Sequence, residues 1–436
     1  MAELEELLVR LNPWWRGKAV EGIAGLRPRF LYQRLLEQMK NKQIIAITGP
    51  RRTGKSTLMR HLIQHLLSEG TKPTDIMYFS FDEVLARDPE VIEKVLITYE
   101  RSFLMRELRD VFIFLDEVQY IENWAAILKR YYDLDVGIKF VISGSQSLAV
   151  KKGGESLAGR IYEFQLPPLS FREFLYLAGE EENKVSLELE RLEETKKRLL
   201  LKKGQILAAL SRYLRQGSFP ELIREENVEN ARQYVASLLK KVIFEDIPMV
   251  FPIENPALLN EMLKLIAKRP GMLLEYQSLA SSLGMTRQTA SKYISILEEA
   301  YLVRILANYR KSDLAVARKA KKVYLVAHAY ALPFIDLEEV LARPSWLVEN
   351  VIACHLDARF FWRNSGEVDF VVNGEPIEVK SGEGENLKWV TKFMKKFSAE
   401  RGIVVTEDTL ERKIVDADGK KLEVLLVPLW LFLLSF

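Results

Sequence analysis

"GPRRTGKST", residues 49–57, follows the apolar, β-branched run "IIAIT" (44–48) and leads into "STLMRHLIQHLL" (56–67), whose apolar residues recur at helical spacing. Strand, glycine loop and helix thus come in the order that a phosphate-binding loop requires, and Gly49 to Ser56 satisfy G-x-x-x-x-G-K-[ST]. Glycines let successive backbone N–H groups converge on a β-phosphate, and the helix N-terminus adds a favourable dipole. The expected grip on ATP is Gly49, Pro50, Arg51, Arg52, Thr53, Gly54, Lys55, Ser56 and Thr57. Within it Lys55 reaches the β- and γ-phosphates, Ser56 places its hydroxyl on Mg²⁺, and Thr57 supports the turn.

A nucleotide site needs a second half. "VFIFLDEVQ" (111–119) is an apolar strand ending in two acids, with Asp116 as the Mg²⁺ partner and Glu117 as the base that polarises the attacking water. By itself this is a common way for a strand to end; after the loop upstream it completes a site. "KFVISGSQS" (139–147) ends another strand, from which Ser143 or Ser145 could contact the γ-phosphate or the water. A Ser-Gly-Ser turn also ends strands for conformational reasons alone. "SLAGRIYEFQL" (156–166) puts Arg160 just before a fifth strand, where a guanidinium could reach a neighbour's γ-phosphate or serve as an ordinary surface charge.

Together "NPWW" (12–15), "GPRRTGKST", "FLDEVQ" (114–119), "GSQS" (144–147) and "LAGRIYEFQLPPLSFREF" (157–174) resemble the AAA+ ATPases. The resemblance is closer to the archaeal-type ATPase branch near the signalling and replication-initiator clades, and covers about residues 12–175. It implies an α/β P-loop core with five parallel strands in the order 5-1-4-3-2 and a helical lid. It also implies Arg160 as the arginine-finger candidate, which could act in trans in a homo-oligomer, and Pro220 of "GSFPELI" (217–223) as the lid proline that packs near the nucleotide base. The charged run at 181–205 is most simply an exposed helix of that lid.

Composition adds bounds. At 436 residues the chain has room for roughly three domains, and 63 Lys plus Arg against 60 Asp plus Glu name no partner through net charge. One cysteine, Cys354, excludes an internal disulfide and Cys-based metal clusters and fits a reducing cytoplasm. His61, His65, His328 and His355 show no shared metal-ligand grouping. The acidic, amphipathic start lacks the layout of a signal peptide, so a cytoplasmic location is expected. The apolar end "VLLVPLWLFLL" (424–434) is shorter than the ~20 residues a membrane helix needs, and Pro428 breaks it. It reads as a buried strand and helix or part of a subunit contact, with no membrane partner.

Pro248, Pro252 and Pro256 in "IPMVFPIENP" (247–256) mark an expected linker. Three helical patterns follow, the third being "TRQTASKYISILEEAYLV" (286–303) with Thr286 as its cap, and then two short strands. Three helices and a two-stranded wing make a winged helix, with Gly284 in the turn before a recognition helix. On that helix Arg287, Gln288, Ser291 and Lys292 should point outward to DNA, with Ala290, Ile294 and Leu297 inward. The wing "YRKSDLAVARKAKK" (309–322) adds Arg310, Lys311, Arg318, Lys319, Lys321 and Lys322 as a local basic patch. Winged helices also dock proteins, so a protein partner stays open.

A helix and three short strands follow in "LVENVIACHLDARFFWRNSGEVDFVVNGEPIEVKSG" (347–382). On a strand Glu378 and Lys380 share a face, Asp369 can lie across from them, and Glu349 reaches in from the helix. Carboxylates with a lysine could bind Mg²⁺ and activate water. Alternating acids and valines also occur on plain half-exposed sheets. The layout resembles the PD-(D/E)XK nuclease superfamily, with Asp369, Glu378 and Lys380 matching its core and Glu349 its helical glutamate, as in archaeal Holliday-junction resolvases. Val368 departs from the proline expected before the aspartate, and only eight residues separate Asp369 from Glu378.

The expected organisation is an N-terminal segment (1–42), the P-loop core (43–167), a helical lid (168–250), a winged helix (256–327) and a C-terminal α/β restriction-endonuclease-like domain (345–436). The leading expectation is an ATP- and Mg²⁺-dependent ATPase that couples nucleotide state to DNA engagement in replication, recombination or repair. The alternatives are a signalling or defence switch with an inactive nuclease-like domain, and a Mg²⁺-dependent, structure-selective DNA nuclease.

Overall fold

The computed structural model describes residues 2–82, 88–145, 157–181, 184–310, 320–336, 338, 345–380, 387–417 and 420–436. The chain divides into two compact units. The first comprises 1–167 with 246–252 and 299–301; the second comprises 168–245, 253–298 and 302–436.

The first unit is built on β1 (Ile44–Thr48), β2 (Ile76–Ser80), β3 (Phe112–Asp116), β4 (Lys139–Gly144) and β5 (Ile161–Gln165). All pairings are parallel and the order is β2-β3-β4-β1-β5, the one that the AAA+ resemblance implied. Every residue of β1 is buried, which explains its unbroken apolar sequence: parallel strands covered on both faces have no polar side. Ile44 and Ala46 pack with Leu8, Phe79, Val95 and Trp124, while Ile45 and Ile47 pack with Trp14, Leu58, Leu62 and Val141. "NPWW" guards the sheet edge at β2. The Asn12 side chain donates to the Tyr78 carbonyl (2.9 Å) and accepts from the Tyr78 N–H (2.6 Å), and the Trp14 and Trp15 indoles both donate to the Ile76 carbonyl (3.1 and 2.8 Å). The open ladder of an edge strand is thereby closed.

In the second unit the helices Phe171–Leu177, Leu189–Arg198, Lys203–Gln216 and Val228–Lys241 precede Pro256–Lys268, Tyr276–Ser282 and Arg287–Glu299. Pro256 occupies the first turn of its helix, where its missing N–H costs nothing, and Asn255 caps the N–H groups of Ala257 (3.1 Å) and Leu258 (3.2 Å). The strands are β6 (Met272–Leu273), β7 (Val303–Asn308), β8 (Lys321–Leu325), β9 (Phe360–Arg363), β10 (Glu367–Val372), β11 (Glu375–Val379), β12 (Arg401–Thr406), β13 (Glu411–Ala417) and β14 (Lys420–Pro428). They form one nine-stranded sheet ordered β13-β14-β12-β11-β10-β9-β7-β8-β6. The join is the parallel pairing of β7 with β9 at Ala307–Phe360 and Asn308–Phe361. Strands read in sequence as a wing and as a nuclease-like core are therefore continuous.

One stretch differs from its sequence reading, and another matches it. The proline-rich linker forms the short helix Ile247–Val250, and its flanking Asp246 is buried within the first unit. The apolar end becomes β14 and the helix Leu429–Leu433, with Trp430, Leu431, Phe432 and Leu433 buried in the second unit's core. Among the described residues no helix is long and apolar enough to cross a membrane.

Candidate functional site

At the carboxyl ends of β1, β3 and β4 the structure brings together Lys55, Ser56, Asp116, Glu117, Ser143 and Ser145. Gly49 leaves β1 at φ 139°, and a Cβ there would lie 2.3 Å from the Leu166 carbonyl oxygen. Only glycine admits both that backbone conformation and that approach. Gly49→Ala is accordingly expected to destabilise the first unit by about 2–3 kcal/mol and to weaken nucleotide binding, as read by chemical unfolding and by fluorescent-nucleotide titration. Arg52 (φ 66°) and Gly54 (φ 93°) are also left-handed, and Gly54 immediately precedes the helix Lys55–Ser68. The Thr53 hydroxyl donates to the Pro50 carbonyl (2.9 Å) inside the loop.

Lys55 is buried. Its ammonium donates to the Gly49 (3.1 Å) and Pro50 (3.0 Å) carbonyls and stands 3.8 Å from Glu117 Oε1. Asp116 Oδ2 accepts from the Tyr78 hydroxyl at 2.7 Å, Oδ1 accepts from Ser143, and Ser56 also bonds this carboxyl. Burial and the neighbouring Glu117 charge push the Asp116 carboxyl above its ordinary range despite those hydroxyls. Burial also pushes Glu117 upward, but Lys55, the Gln119 amide, Arg51 and the Ser145 contact outweigh it and leave Glu117 below the ordinary range. The environment thus pushes the two neighbouring carboxyls in opposite directions, Asp116 above and Glu117 below the ordinary range.

The Glu117 carboxylate is held from one side. Oε2 accepts from the Ser145 N–H (3.2 Å) and from the Gln119 amide, which also donates to Ser145 Oγ (3.0 Å). The Glu117 N–H donates to Ser143 Oγ at 3.1 Å. Ser143 and Ser145 therefore meet the acidic pair itself. Gln119 and Tyr78 escaped sequence reading because a glutamine after an acidic pair and a tyrosine within an apolar strand carry no distinguishing pattern.

The Arg51 side chain donates to Asp246 Oδ2 (3.0 Å), the Tyr120 hydroxyl (3.1 Å) and Asp82 Oδ1 (3.3 Å). Arg160 is set apart from this cluster. Its carbonyl accepts from the N–H of Ile44, at the amino end of β1, and its side chain bonds Asp133 Oδ1 at 2.8 Å. Pro220 opens the short 3₁₀ helix Pro220–Leu222 in the second unit.

The donor set fits a nucleotide with a divalent cation. The buried ammonium of Lys55 and the glycine loop would hold the phosphates, and Ser56 with Asp116 would hold the metal. When bound, such a nucleotide supplies an electrophilic phosphoryl group; Glu117 can accept a proton from water, and Gln119 and Ser145 orient it.

On the helix Arg287–Glu299, Arg287, Gln288, Ser291 and Lys292 are exposed, and Ala290, Ile294 and Leu297 are buried. Thr286 Oγ1 accepts from the Thr289 N–H (3.1 Å), closing the first turn. Arg310 donates to the Arg363 carbonyl at 2.7 Å, and Lys321 is half-buried. Lys311, Arg318 and Lys319 lie outside the described residues. Lys322 corrects the sequence reading: it is only 4% exposed and belongs to an acid cluster rather than an open wing. Its ammonium lies 2.5 Å from Glu367 Oε1, 3.3 Å from Glu349 Oε1 and 3.9 Å from Asp369 Oδ1. A strand has period two, so Lys322 faces away from its neighbour Lys321, into the sheet's covered side. Asp369 Oδ2 accepts from the Val379 N–H (2.9 Å), and Lys380 pairs with Glu378 at 3.3 Å.

Comparison with known proteins agrees with this geometry. Residues 41–175 match an AAA domain, and residues 207–338 match a domain of unknown function. The chain therefore carries an AAA-type, nucleotide-binding ATPase domain. An uncharacterised protein of Methanocaldococcus jannaschii is 26% identical over 410 residues, covering 88% of this chain and 86% of that one. An uncharacterised protein of Haemophilus influenzae is 24% identical over 431 residues, covering 92% and 97%. Among solved structures, a Walker-type ATPase of Pyrococcus abyssi is similar at 16% identity and TM-score 0.43, covering 74% of this chain and 100% of that one.

Proposed function

We propose that the protein hydrolyses ATP with Mg²⁺ and couples its nucleotide state to engagement of DNA. The ATPase half rests on the Lys55–Glu117–Asp116 cluster. The DNA half rests on one observation: Arg287, Gln288, Ser291 and Lys292 share the solvent side of a helix whose other side is sealed by Ala290, Ile294 and Leu297. Helix, strand, two helices and two strands, from Pro256 to Leu325, follow the order of a winged helix, and exposed cations at the start of its third helix suit phosphate contact. Arg160, at the amino end of its sheet, suits action on a nucleotide held by a second copy of the chain.

The test is duplex binding at several salt concentrations. Wild type is expected to bind with a steep salt dependence. Arg287→Ala and Lys292→Ala should each weaken binding and make that dependence shallower, the slope falling by about 1 for every phosphate the side chain had neutralised. Binding unchanged by both substitutions would remove this face from the account.

A second reading, a nucleotide-dependent signalling or defence switch, draws on Arg51. A phosphate-loop arginine tied to Asp246 links the nucleotide site to a segment whose two ends lead into the second unit. ATP turnover indifferent to DNA, with a protein partner bound in one nucleotide state only, would favour that reading.

A further inference from the structure

We infer that Lys322 is a built-in cation: its ammonium fills the seat that a divalent metal would need in the C-terminal carboxylate cluster. The cluster is then a charge-paired tie within the nine-stranded sheet, not a metal-dependent cutting centre.

The nuclease resemblance implies Mg²⁺ held by Asp369, Glu378 and Glu349, and the residues do not fit that ion. Mg²⁺ demands near-octahedral oxygen ligands at about 2.0–2.1 Å. Among the described residues no group of three His, Cys, Asp or Glu side chains is placed to hold a metal ion. Two of these carboxylates, together with Glu367, converge on Lys322 Nζ, which lies 2.5 Å from Glu367, 3.3 Å from Glu349 and 3.9 Å from Asp369, while Glu378 pairs with Lys380. Protein groups add to this hold on Glu349 and Asp369, while Glu378 Oε2 is buried without a hydrogen-bond partner among the described residues. The Tyr324 hydroxyl donates to Glu349 Oε1 at 2.5 Å, and the Val379 N–H holds the second oxygen of Asp369 at 2.9 Å.

Lys322 cannot easily yield its place. It sits on β8 between β7 and β6, paired with Leu306 and Leu273, and its ammonium lies 5.5 Å from the centre of the Phe361 ring and 5.9 Å from that of Tyr324. A buried ammonium is tolerated only while its acids remain, and a divalent cation in the same carboxylates would face that charge at contact distance. Lys322 is thus unlike Lys380, which pairs with Glu378 at the strand end and matches the lysine of the nuclease motif.

Mn²⁺ binding to the full chain without nucleotide, counted by electron paramagnetic resonance, tests this. In the wild type, Asp369→Asn should leave the number of bound Mn²⁺ ions unchanged. Lys322→Met, which keeps the side-chain bulk and removes the charge, should gain one Mn²⁺ per chain, and adding Asp369→Asn should remove it. Saturating Mn²⁺ should raise the Tm of Lys322→Met by about 3 °C or more beyond its effect on the wild type. Wild-type protein that loses a bound Mn²⁺ on Asp369→Asn overturns the inference, as does a folded Lys322→Met that gains none. Should Lys322→Met fail to fold, the comparison of wild type with Asp369→Asn decides alone.

Discussion

Glu117→Gln is expected to lower ATP turnover by about 10²–10⁴-fold while nucleotide binding persists. The carboxyl is buried and held below its ordinary range, and its Oε2 is fixed by the Ser145 N–H and Gln119. Glutamine keeps the shape but cannot take a proton from water. The contrast is Lys55→Ala, which removes the ammonium beside the Gly49 and Pro50 carbonyls and should abolish binding itself. Fluorescent-nucleotide titration with steady-state phosphate release separates the two variants. Glu117→Gln turning over within a few-fold of wild type would remove Glu117 from the role of base. Gln119→Ala should retain more turnover than Glu117→Gln, since it loosens the base without removing it.

The second large effect is acid lability of the second unit. His355 Nε2 accepts the Phe171 N–H (2.8 Å), so its Nδ1 carries the proton shared with the Val351 carbonyl (2.7 Å). A second proton would face an N–H that is already donating. His328 lies between the Ser218 hydroxyl (3.0 Å) and the Tyr213 carbonyl (2.8 Å), and the Tyr213 ring stands against both imidazoles. Burial lowers each histidine from 6.5 to about 4. A folded-state pKa below the unfolded one means that the stability is fully present above pH 6.5 and is lost as pH falls toward 4. The loss is about 3 kcal/mol per histidine, because each tenfold drop in proton affinity on folding is worth about 1.4 kcal/mol. Asp369 and Glu378, both raised by burial, act in the opposite sense over acidic pH and blunt the total. Urea unfolding at pH 7, 6, 5 and 4.5 should show the decline, and His355→Gln should remove about 1.4 kcal/mol per pH unit from its slope. Imidazole resonances of His328 and His355 that titrate near pH 6.5 would contradict the assignment.

Much of the first unit was legible because its chemistry is local in sequence. A phosphate loop needs strand, glycines, lysine and helix in immediate succession, and the acidic pair closes a buried strand; both patterns survive without knowledge of distant neighbours. The inward and outward faces of Arg287–Glu299 were legible for a similar reason, as helical periodicity sorts them. What escaped depends on long-range packing. Asp246 lies 195 residues from the Arg51 it holds, within prolines that read as a linker. Lys322 sits in a run of lysines and arginines, and only the pairing of β7 with β9, which builds both regions into one sheet, sets it among Glu349, Glu367 and Asp369 rather than in solvent. The nuclease-like motif showed where the acids would gather but not what they would gather around.

The most direct test of the central claim is ATP hydrolysis by the purified chain with and without duplex, branched and single-stranded DNA, with the labelled DNA followed in the same tubes. The account predicts turnover that rises with DNA, collapses in Glu117→Gln and leaves the DNA intact. Turnover indifferent to every DNA would contradict the coupling, and cleavage lost in Asp369→Asn would contradict the lysine-filled cluster.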